Sequence, residues 1–172
     1  MTAFPIPDPR PVRALLDPAH EAFARDAAAF AARELAPRAA AETDAAARTE
    51  ARAILALLGA AKLLEPIRGG DWRACCLARE ALAAVSPLAD AVFALQGLGT
   101  LPLLTSGAPA GARLAEEAIA GRAMAAFAMT EPEAGSDVAA LATRARREGD
   151  GYVLDGSKSY ISNAGIADFY VV

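Results

Sequence analysis

The chain of 172 residues is 55% hydrophobic and 22% charged, a composition that permits a sizeable core and excludes a disordered protein. Its formal net charge is -4 at pH 7 and it has no long basic run, so we expect no nucleic-acid partner. The sequence shows no signal-peptide pattern and no apolar run longer than Ala53 to Ala61. These features predict a cytoplasmic protein without a membrane partner.

The two cysteines, Cys75 and Cys76, are adjacent in the sequence. Neighbouring residues of a helix point in different directions, so the pair does not suggest a disulfide framework and favours a reducing compartment. No histidine or further cysteine lies close by, and we expect no metal site. The single histidine, His20, falls in the first turn of a predicted helix, where we expect it to be solvated.

The first part of the chain predicts helices. Prolines at positions 5, 7, 9 and 11 predict an irregular lead-in from Met1 to Leu16. Asp17 and Pro18 are typical of a helix N-cap and of the first helical position. Apolar residues at three- and four-residue spacing then predict an amphipathic helix from about Pro18 to Ala36.

Further helical segments follow. A second region, in one or two pieces, is predicted over Glu42 to Leu58, with Gly59 as its stop, and Pro66 to Gly70 is expected to be a loop. The remaining predicted helices are Trp72 to Val85 with Asp71 as its cap, a helix that begins at Ser86-Pro87, and a short one at about Ala110 to Ala120. The helix from Ser86-Pro87 is apolar on nearly all sides, so we expect it to be central and buried.

The character of the sequence changes near Gly121, where we place a domain boundary. Strands are predicted over Ala123 to Met129, over the alternating segment Ala142 to Arg147 with its return Tyr152 to Leu154, and from Phe169 to Val172. Asp150-Gly151 and Asp155-Gly156 both have hairpin-turn sequences, the second followed by Ser157 to Ser162. The fold class is therefore α+β. Because the chain ends within an apolar strand, we expect a longer polypeptide.

Two polar stretches carry the functional signal. The first begins where the apolar run at Phe127 ends and continues through Thr130 to Asp137. Pro132 stiffens this loop and Gly135 permits a close backbone approach. Such a loop can direct N–H groups towards an anion or the edge of a heterocycle, although a plain connection between strands has the same composition.

The second stretch runs from Asp155 to Gly165. An aromatic residue and a hydroxyl two positions apart, Tyr160 and Ser162, lie on the same side of a strand if this segment is extended. A pair of this kind could stack on a flat cofactor and form a hydrogen bond with it. A strand edge that leads into a turn would have the same residues.

Together the two stretches resemble the acyl-CoA dehydrogenase family. The first resembles that family's Thr-Glu-Pro…Gly-Ser-Asp signature, and the second its Asp/Asn-Gly-x-Lys-x-aromatic-Ile-Ser/Thr-Asn segment, with a matching distance between them. The resemblance implies an N-terminal all-α helical domain (residues 1–121) followed by the first strands of an antiparallel β-barrel domain (residues 122–172). Many relatives carry tryptophan where this chain has Tyr160.

The resemblance also implies a cofactor, FAD, and a set of contact residues. By this comparison the cofactor-binding residues are Phe127, Met129, Thr130, Gly135, Ser136, Tyr160 and Ser162. Ser136 would also lie near the path of the acyl-CoA substrate, and Gln96 in the fourth helix would approach the acyl pocket.

The activity implied by the resemblance is FAD-dependent α,β-desaturation of an acyl-CoA thioester to a 2-enoyl-CoA, with hydride transfer to flavin N5. An electron-transfer flavoprotein would accept the electrons, and a homo-oligomer, usually a tetramer, would be the assembled form. The family's catalytic glutamate lies in a C-terminal helical domain, so we assign no catalytic residue and expect this chain alone to be inactive. The alternatives are an acyl-CoA oxidase or flavin monooxygenase on the same scaffold, or a non-catalytic helical interaction module.

Overall fold

The computed structural model describes residues 7–172. The lead-in predicted to be irregular includes Met1 to Ile6, which lie outside the described residues. Within the described part, Arg10–Leu15 form a short 3₁₀ helix where no regular structure was expected. Pro11 is compatible with this turn because the first residues of a helix need no N–H donor.

Six helices follow in the described residues: α1 (Pro18–Phe30), α2 (Asp44–Ala60), α3 (Glu65–Gly69), α4 (Trp72–Ala83), α5 (Pro87–Thr105) and α6 (Pro109–Ile119). A π-helical turn over Ala31–Leu35 continues α1, so the helical backbone extends as far as predicted. Two predicted boundaries depend on side-chain caps. The N–H of Ala74 donates to Asp71 and that of Ala89 donates to Ser86, which confirms the starts of α4 and α5.

Two predictions in the helical part were wrong. The segment from Pro66 to Gly70, expected to be a loop, belongs largely to α3, because Pro66 occupies the first turn of a helix, where it is tolerated. Gly59 does not stop α2, which is one continuous helix that ends at Ala60. A Cβ atom there would come within 2.2 Å of the Ala120 carbonyl oxygen, so the glycine allows the end of α6 to approach α2.

His20 is buried, with 5% of its surface exposed, and the expectation of a solvated histidine was wrong. Its Nδ1 accepts a hydrogen bond from the N–H of Asp17 at 3.1 Å, so the ring proton lies on Nε2. Nε2 lies 3.0 Å from a carboxylate oxygen of Asp71, which also caps α4. The imidazole thereby links the N-termini of α1 and α4.

Among residues 7–172, four strands form two small sheets: β1 (Ala125–Phe127), β2 (Arg144–Glu148), β3 (Gly151–Asp155) and β4 (Phe169–Val171). β2 and β3 form an antiparallel hairpin, whereas β1 pairs with β4 in parallel. The α+β fold class is confirmed, and the strands form no closed barrel. In the hairpin Glu148 pairs with Gly151, so the turn is Gly149-Asp150, one residue before the predicted Asp150-Gly151.

The second predicted hairpin, at Asp155-Gly156, does not form. Asp155 remains in β3, and no described strand covers the residues from Ser157 to Ser162. Tyr160 has a backbone φ of 57°, in the left-handed region, so the expected extended strand with Tyr160 and Ser162 on one side was also wrong. The physical reason is a set of contacts with the first polar stretch, which folds this segment away from β3.

Helix α5 lies at the centre of the fold and packs against α2, α4, α6 and β1. By length and apolar composition alone, α5 could span a membrane, but core helices of globular proteins have the same properties. The uninterrupted apolar run at Ala53 to Ala61 lies in another helix and gave no indication of this. Phe93 and Val92 of α5 are buried, while Leu98 is 51% exposed. The helix is therefore central as predicted, but one of its faces is open.

Gln96 is the polar connection between α5 and the start of the β region. Its side chain is fully buried, and its amide donates to the carbonyl oxygens of Ala118 (2.9 Å) and Ala123 (2.6 Å). Its side-chain oxygen accepts from the N–H of Ala125 at 3.1 Å. Gln96 therefore supplies hydrogen-bond partners to three main-chain groups, of which the Ala118 carbonyl also accepts from the N–H of Gly121.

We expect Gln96→Leu to lower the free energy of unfolding by about 3 kcal/mol, because a buried polar group that loses its partner costs about 1–3 kcal/mol. Urea titration followed by far-UV circular dichroism measures this change. Thr100→Val on the same helix is the matched control, since the Thr100 hydroxyl is buried and has no hydrogen-bond partner among the described residues. Equal losses in the two variants would contradict this account of Gln96.

Candidate functional site

The two polar stretches lie side by side and are joined by three contacts. The Lys158 ammonium donates to the Met129 carbonyl oxygen at 2.9 Å and to a Glu131 carboxylate oxygen at 2.8 Å. Between these, the Ser159 N–H donates to the Thr130 carbonyl oxygen at 2.9 Å. Residues 129–131 are therefore held against residues 158–159, although the two segments are far apart in the sequence.

Glu131 is the centre of this junction, and the sequence-based site residues did not include it. Besides Lys158, its carboxylate accepts from the N–H of Ala142 (2.7 Å), from the N–H of Thr143 (2.9 Å) and from the Thr143 hydroxyl. The Lys158 ammonium, followed by the Thr143 hydroxyl and the two N–H groups, lowers the pKa of Glu131 to about 2. The sequence contains the two side chains that reach this glutamate, Lys158 and Thr143, but they were not connected with it.

The loop between these contacts is compact. Glu131 and Ala134 exchange main-chain hydrogen bonds of 2.9 and 3.2 Å, which fold Pro132-Glu133 into a tight turn. The predicted cofactor-binding residues Gly135 and Ser136 follow directly and are exposed. The loop therefore presents both residues to solvent from a fixed base.

The main chain of the first stretch carries free donors. In the part of the chain that the structure describes, the N–H groups of Met129 and Thr130 donate to no protein acceptor. Phe127 and Thr130 are half-buried, and Met129 is exposed. A polar heterocycle at this surface could accept from these donors.

Tyr160 projects from the second stretch. Its side chain is 95% exposed. Its backbone occupies the left-handed region, which is unusual for a bulky residue. Ser162, two residues further, is exposed in the turn that follows. The structure thus brings the Phe127–Thr130 segment and the Tyr160–Ser162 segment to one junction, though not as the flat strand face that was predicted.

The turn after Ser162 is anchored to helices and to β1. Arg48 of α2 donates to the Ala164 carbonyl oxygen at 2.7 Å, and Asn163 donates to that of Ala125 at 2.9 Å. Arg52 of α2 pairs with Asp168 at 2.9 Å, and this contact lowers the pKa of the Asp168 carboxyl. The second stretch is therefore fastened at both of its ends.

An apolar groove of about 460 Å³ lies between α4 and α5 and extends to the start of the first stretch. We call it the α4–α5 groove. Its walls include Trp72, Cys76, Ala94, Gly97, Leu98 and Phe127. Gln96 does not line it, and its amide is buried in main-chain hydrogen bonds. The approach of Gln96 to an acyl pocket stays a prediction.

Comparisons with known proteins agree with this geometry. The family model described as acyl-CoA dehydrogenase, middle domain, matches residues 126–172. The probable acyl-CoA dehydrogenase FadE25 of Mycobacterium tuberculosis is 37% identical over 151 residues, covering 84% of this chain and 39% of that protein. Glutaryl-CoA dehydrogenase of Mycobacterium smegmatis superposes with a TM-score of 0.78 at 26% identity, covering 94% of this chain and 44% of that one.

Two further solved structures are similar. A glutaryl-CoA dehydrogenase from Mycobacterium smegmatis in complex with FADH2 has a TM-score of 0.75 at 26% identity, covering 92% of this chain and 43% of that one. A chain from the structure described as electron transferring flavoprotein of Acidaminococcus fermentans has a TM-score of 0.74 at 28% identity, covering 91% and 43%. The fold of this chain is therefore shared with part of glutaryl-CoA dehydrogenase.

Most of the chain is similar to proteins of the acyl-CoA dehydrogenase family, and residues 126–172 match the middle domain of that family. The chain spans about 39% of the length of the curated relatives that it matches first. The strongest local agreement covers the two polar stretches, since both lie within the residues matched by the middle-domain family model.

The pKa of Glu131 leads to a pH-dependent prediction. Because folding lowers this pKa from 4.5 to about 2, the stability that Glu131 contributes is complete above pH 4.5 and is lost as the pH falls towards 2. We therefore expect the melting temperatures of the wild type and Glu131→Gln to differ at pH 7 and to converge between pH 4.5 and 2. Differential scanning fluorimetry across this range measures the gap; a gap that stays constant would contradict the assignment.

Proposed function

We propose that the protein is an FAD-dependent acyl-CoA dehydrogenase, which converts an acyl-CoA thioester to the 2-enoyl-CoA. The observation that carries the proposal is the junction of the two polar stretches through Lys158, Ser159 and residues 129–131. A non-catalytic helical module would not need free donors and an exposed aromatic ring at one junction. The relatives of this chain include proteins named as probable acyl-CoA dehydrogenases.

The residues at the junction fit FAD. The free N–H groups of Met129 and Thr130 would donate to polar atoms of the flavin, while Phe127 and Tyr160 would contact its apolar faces. The exposed hydroxyl of Ser162 would form a hydrogen bond with the ring edge. FAD, when bound, would supply the hydride acceptor, its N5 atom, for the β hydrogen of the substrate.

The loop and the groove fit the substrate. Gly135 and Ser136 would lie along the pyrophosphate of FAD, with Ser136 also near the acyl-CoA. The α4–α5 groove offers an apolar lining that ends at Phe127, next to the proposed cofactor contacts, and would take the acyl chain. Burial of the acyl chain in this groove would exclude water from the thioester.

Glu131 is not a candidate for the base that removes the α proton. Its carboxylate accepts hydrogen bonds from Lys158, Thr143 and Ala142, and its pKa of about 2 makes it a poor proton acceptor at neutral pH. The described residues include no carboxylate to which we assign this role. An electron-transfer flavoprotein as electron acceptor and a homo-oligomeric assembly complete the proposal.

Two measurements on the full-length protein test this function. We expect a flavin absorbance band to co-elute with the protein in gel filtration, and acyl-CoA to bleach that band and reduce an artificial electron acceptor without oxygen. Rapid reoxidation of the reduced flavin by oxygen would instead indicate an oxidase or a monooxygenase. Absence of flavin would overturn the proposal in favour of an interaction module.

The α4–α5 groove gives a further prediction. A Cβ atom at Gly97 would lie 3.8 Å from the Ile67 side chain, so the helix tolerates a larger residue whose side chain enters the groove. We expect Gly97→Leu to raise KM for long-chain acyl-CoA by about tenfold or more, since filling space in an apolar pocket costs about 1–3 kcal/mol. Retention of FAD should be unchanged.

Steady-state kinetics over acyl chains of increasing length measure this effect. Ala91→Leu is the matched control, because Ala91 is exposed on the same helix and does not line the groove. If Gly97→Leu and Ala91→Leu give the same KM values as the wild type, the groove does not hold the acyl chain.

A further inference from the structure

The Glu131–Lys158 ion pair differs from the other ion pairs in the described residues. In no other ion pair of the described residues are both side chains so little exposed, at 6% for Glu131 and 15% for Lys158. Removing two charges from water is costly, and a buried pair often gives no more stability than apolar residues of the same shape. This burial suggests a role beyond the stability of the fold.

The pair determines where the second polar stretch lies. Lys158 contacts the carbonyl oxygen of Met129 and the carboxylate of Glu131, so its side chain spans the peptide that carries Thr130. The next residue, Ser159, donates from its N–H to Thr130. These contacts leave the chain little room to continue as a strand, and Tyr160 follows at once with a left-handed backbone and an exposed ring.

The same carboxylate determines where the first stretch returns. Its hydrogen bonds to Ala142 and Thr143 close a loop that contains residues 132–141. Gly135 and Ser136 lie within that loop and are exposed, and a Cβ added at Gly135 would meet nothing within 4 Å. The Glu131 carboxylate therefore contacts both segments at which the cofactor contacts are proposed, and it holds them in place.

We propose that Glu131 and Lys158 are positioning residues of the FAD site, which hold Thr130 and Tyr160 at the separation that the isoalloxazine ring requires. This inference rests on the proposed function. Neither residue touches the ring in this account; both act through the backbone that carries the contacting groups. The buried ion pair fixes the register of two segments whose other contacts at this junction are the hydrogen bonds from Lys158 to Met129 and from Ser159 to Thr130.

The test compares variants of the full-length holoprotein. In Lys158→Met the side chain keeps its apolar stem and loses both contacts, so we expect the Kd for FAD to rise about tenfold or more, as is typical when a residue that orients a contact group is removed. The visible circular dichroism of the flavin at saturating FAD should also change. Lys158→Arg keeps the charge and should restore the Kd to within about threefold of the wild type.

Arg146→Met is the matched control, because Arg146 forms an exposed ion pair with Glu148 on β2. It should leave the Kd and the flavin spectrum unchanged. Thr143→Val is a milder variant in case Lys158→Met does not fold: it removes one donor to Glu131 and should raise the Kd about threefold, as expected for a single hydrogen bond.

The outcomes separate this inference from the proposed function. If the wild type binds no FAD, the proposed function fails, and the positioning role fails with it. If the wild type binds FAD and Lys158→Met or Thr143→Val binds it with the same affinity and spectrum, only the positioning role is overturned. A lower melting temperature with an unchanged flavin spectrum at saturation would likewise reduce the pair to a structural role.

Discussion

The Glu131 carboxylate is the constraint on which the candidate site depends. It accepts hydrogen bonds from the Lys158 ammonium, the Thr143 hydroxyl and two main-chain N–H groups, and these donors come from segments separated along the chain. A carboxylate has about four acceptor positions, and four protein donors reach this one, three at Oε1 and one at Oε2. The residues around it, which lack such partners, are therefore the ones available for binding. The Glu131 carboxylate is occupied by donors of the protein, whereas nearby groups have no protein partner. The N–H groups of Met129 and Thr130 are the clearest examples.

The helical part supports this junction through contacts at a distance from it. Gln96 of α5 satisfies the main chain on either side of the start of β1, and Arg52 of α2 holds Asp168, whose carboxylate accepts from the N–H of Met124 at 2.7 Å. β1 leads directly into the first polar stretch, and Asp168 follows directly after the second. Polar side chains from two helices thus fix the strand ends that precede and follow the site. Because the Gln96 contacts are buried and the bond from Met124 to Asp168 is partly buried, their loss would affect the junction as well as the core.

The sequence predicted those features whose cause is local. Asp71 and Ser86 cap helices because their side chains reach an N–H three residues ahead, and the apolar spacing of α1 needs no knowledge of the rest of the chain. Features caused by distant residues were missed. Burial of His20 depends on Asp71, and the junction at Glu131 depends on Lys158; neither distance can be read from a window of sequence. Gln96 illustrates the same limit, since an amide in an apolar helix could face a ligand or a neighbouring main chain, and only the packing of α6 and β1 decides between them.

The segment that carries Tyr160 shows why a motif can be recognised while its geometry is misjudged. The residue types from Asp155 to Asn163 favour an extended chain when each is considered with its neighbours, which led to the expectation of a strand with Tyr160 and Ser162 on one face. In the structure Lys158 and Ser159 are bound to the first stretch, and the chain turns at Tyr160 with a positive φ. The residues that identify the motif are therefore also those that prevent the strand: a lysine long enough to reach Glu131 cannot lie flat in a hairpin and hold that contact. Tyr160, two residues after Lys158, has a left-handed backbone and an exposed ring.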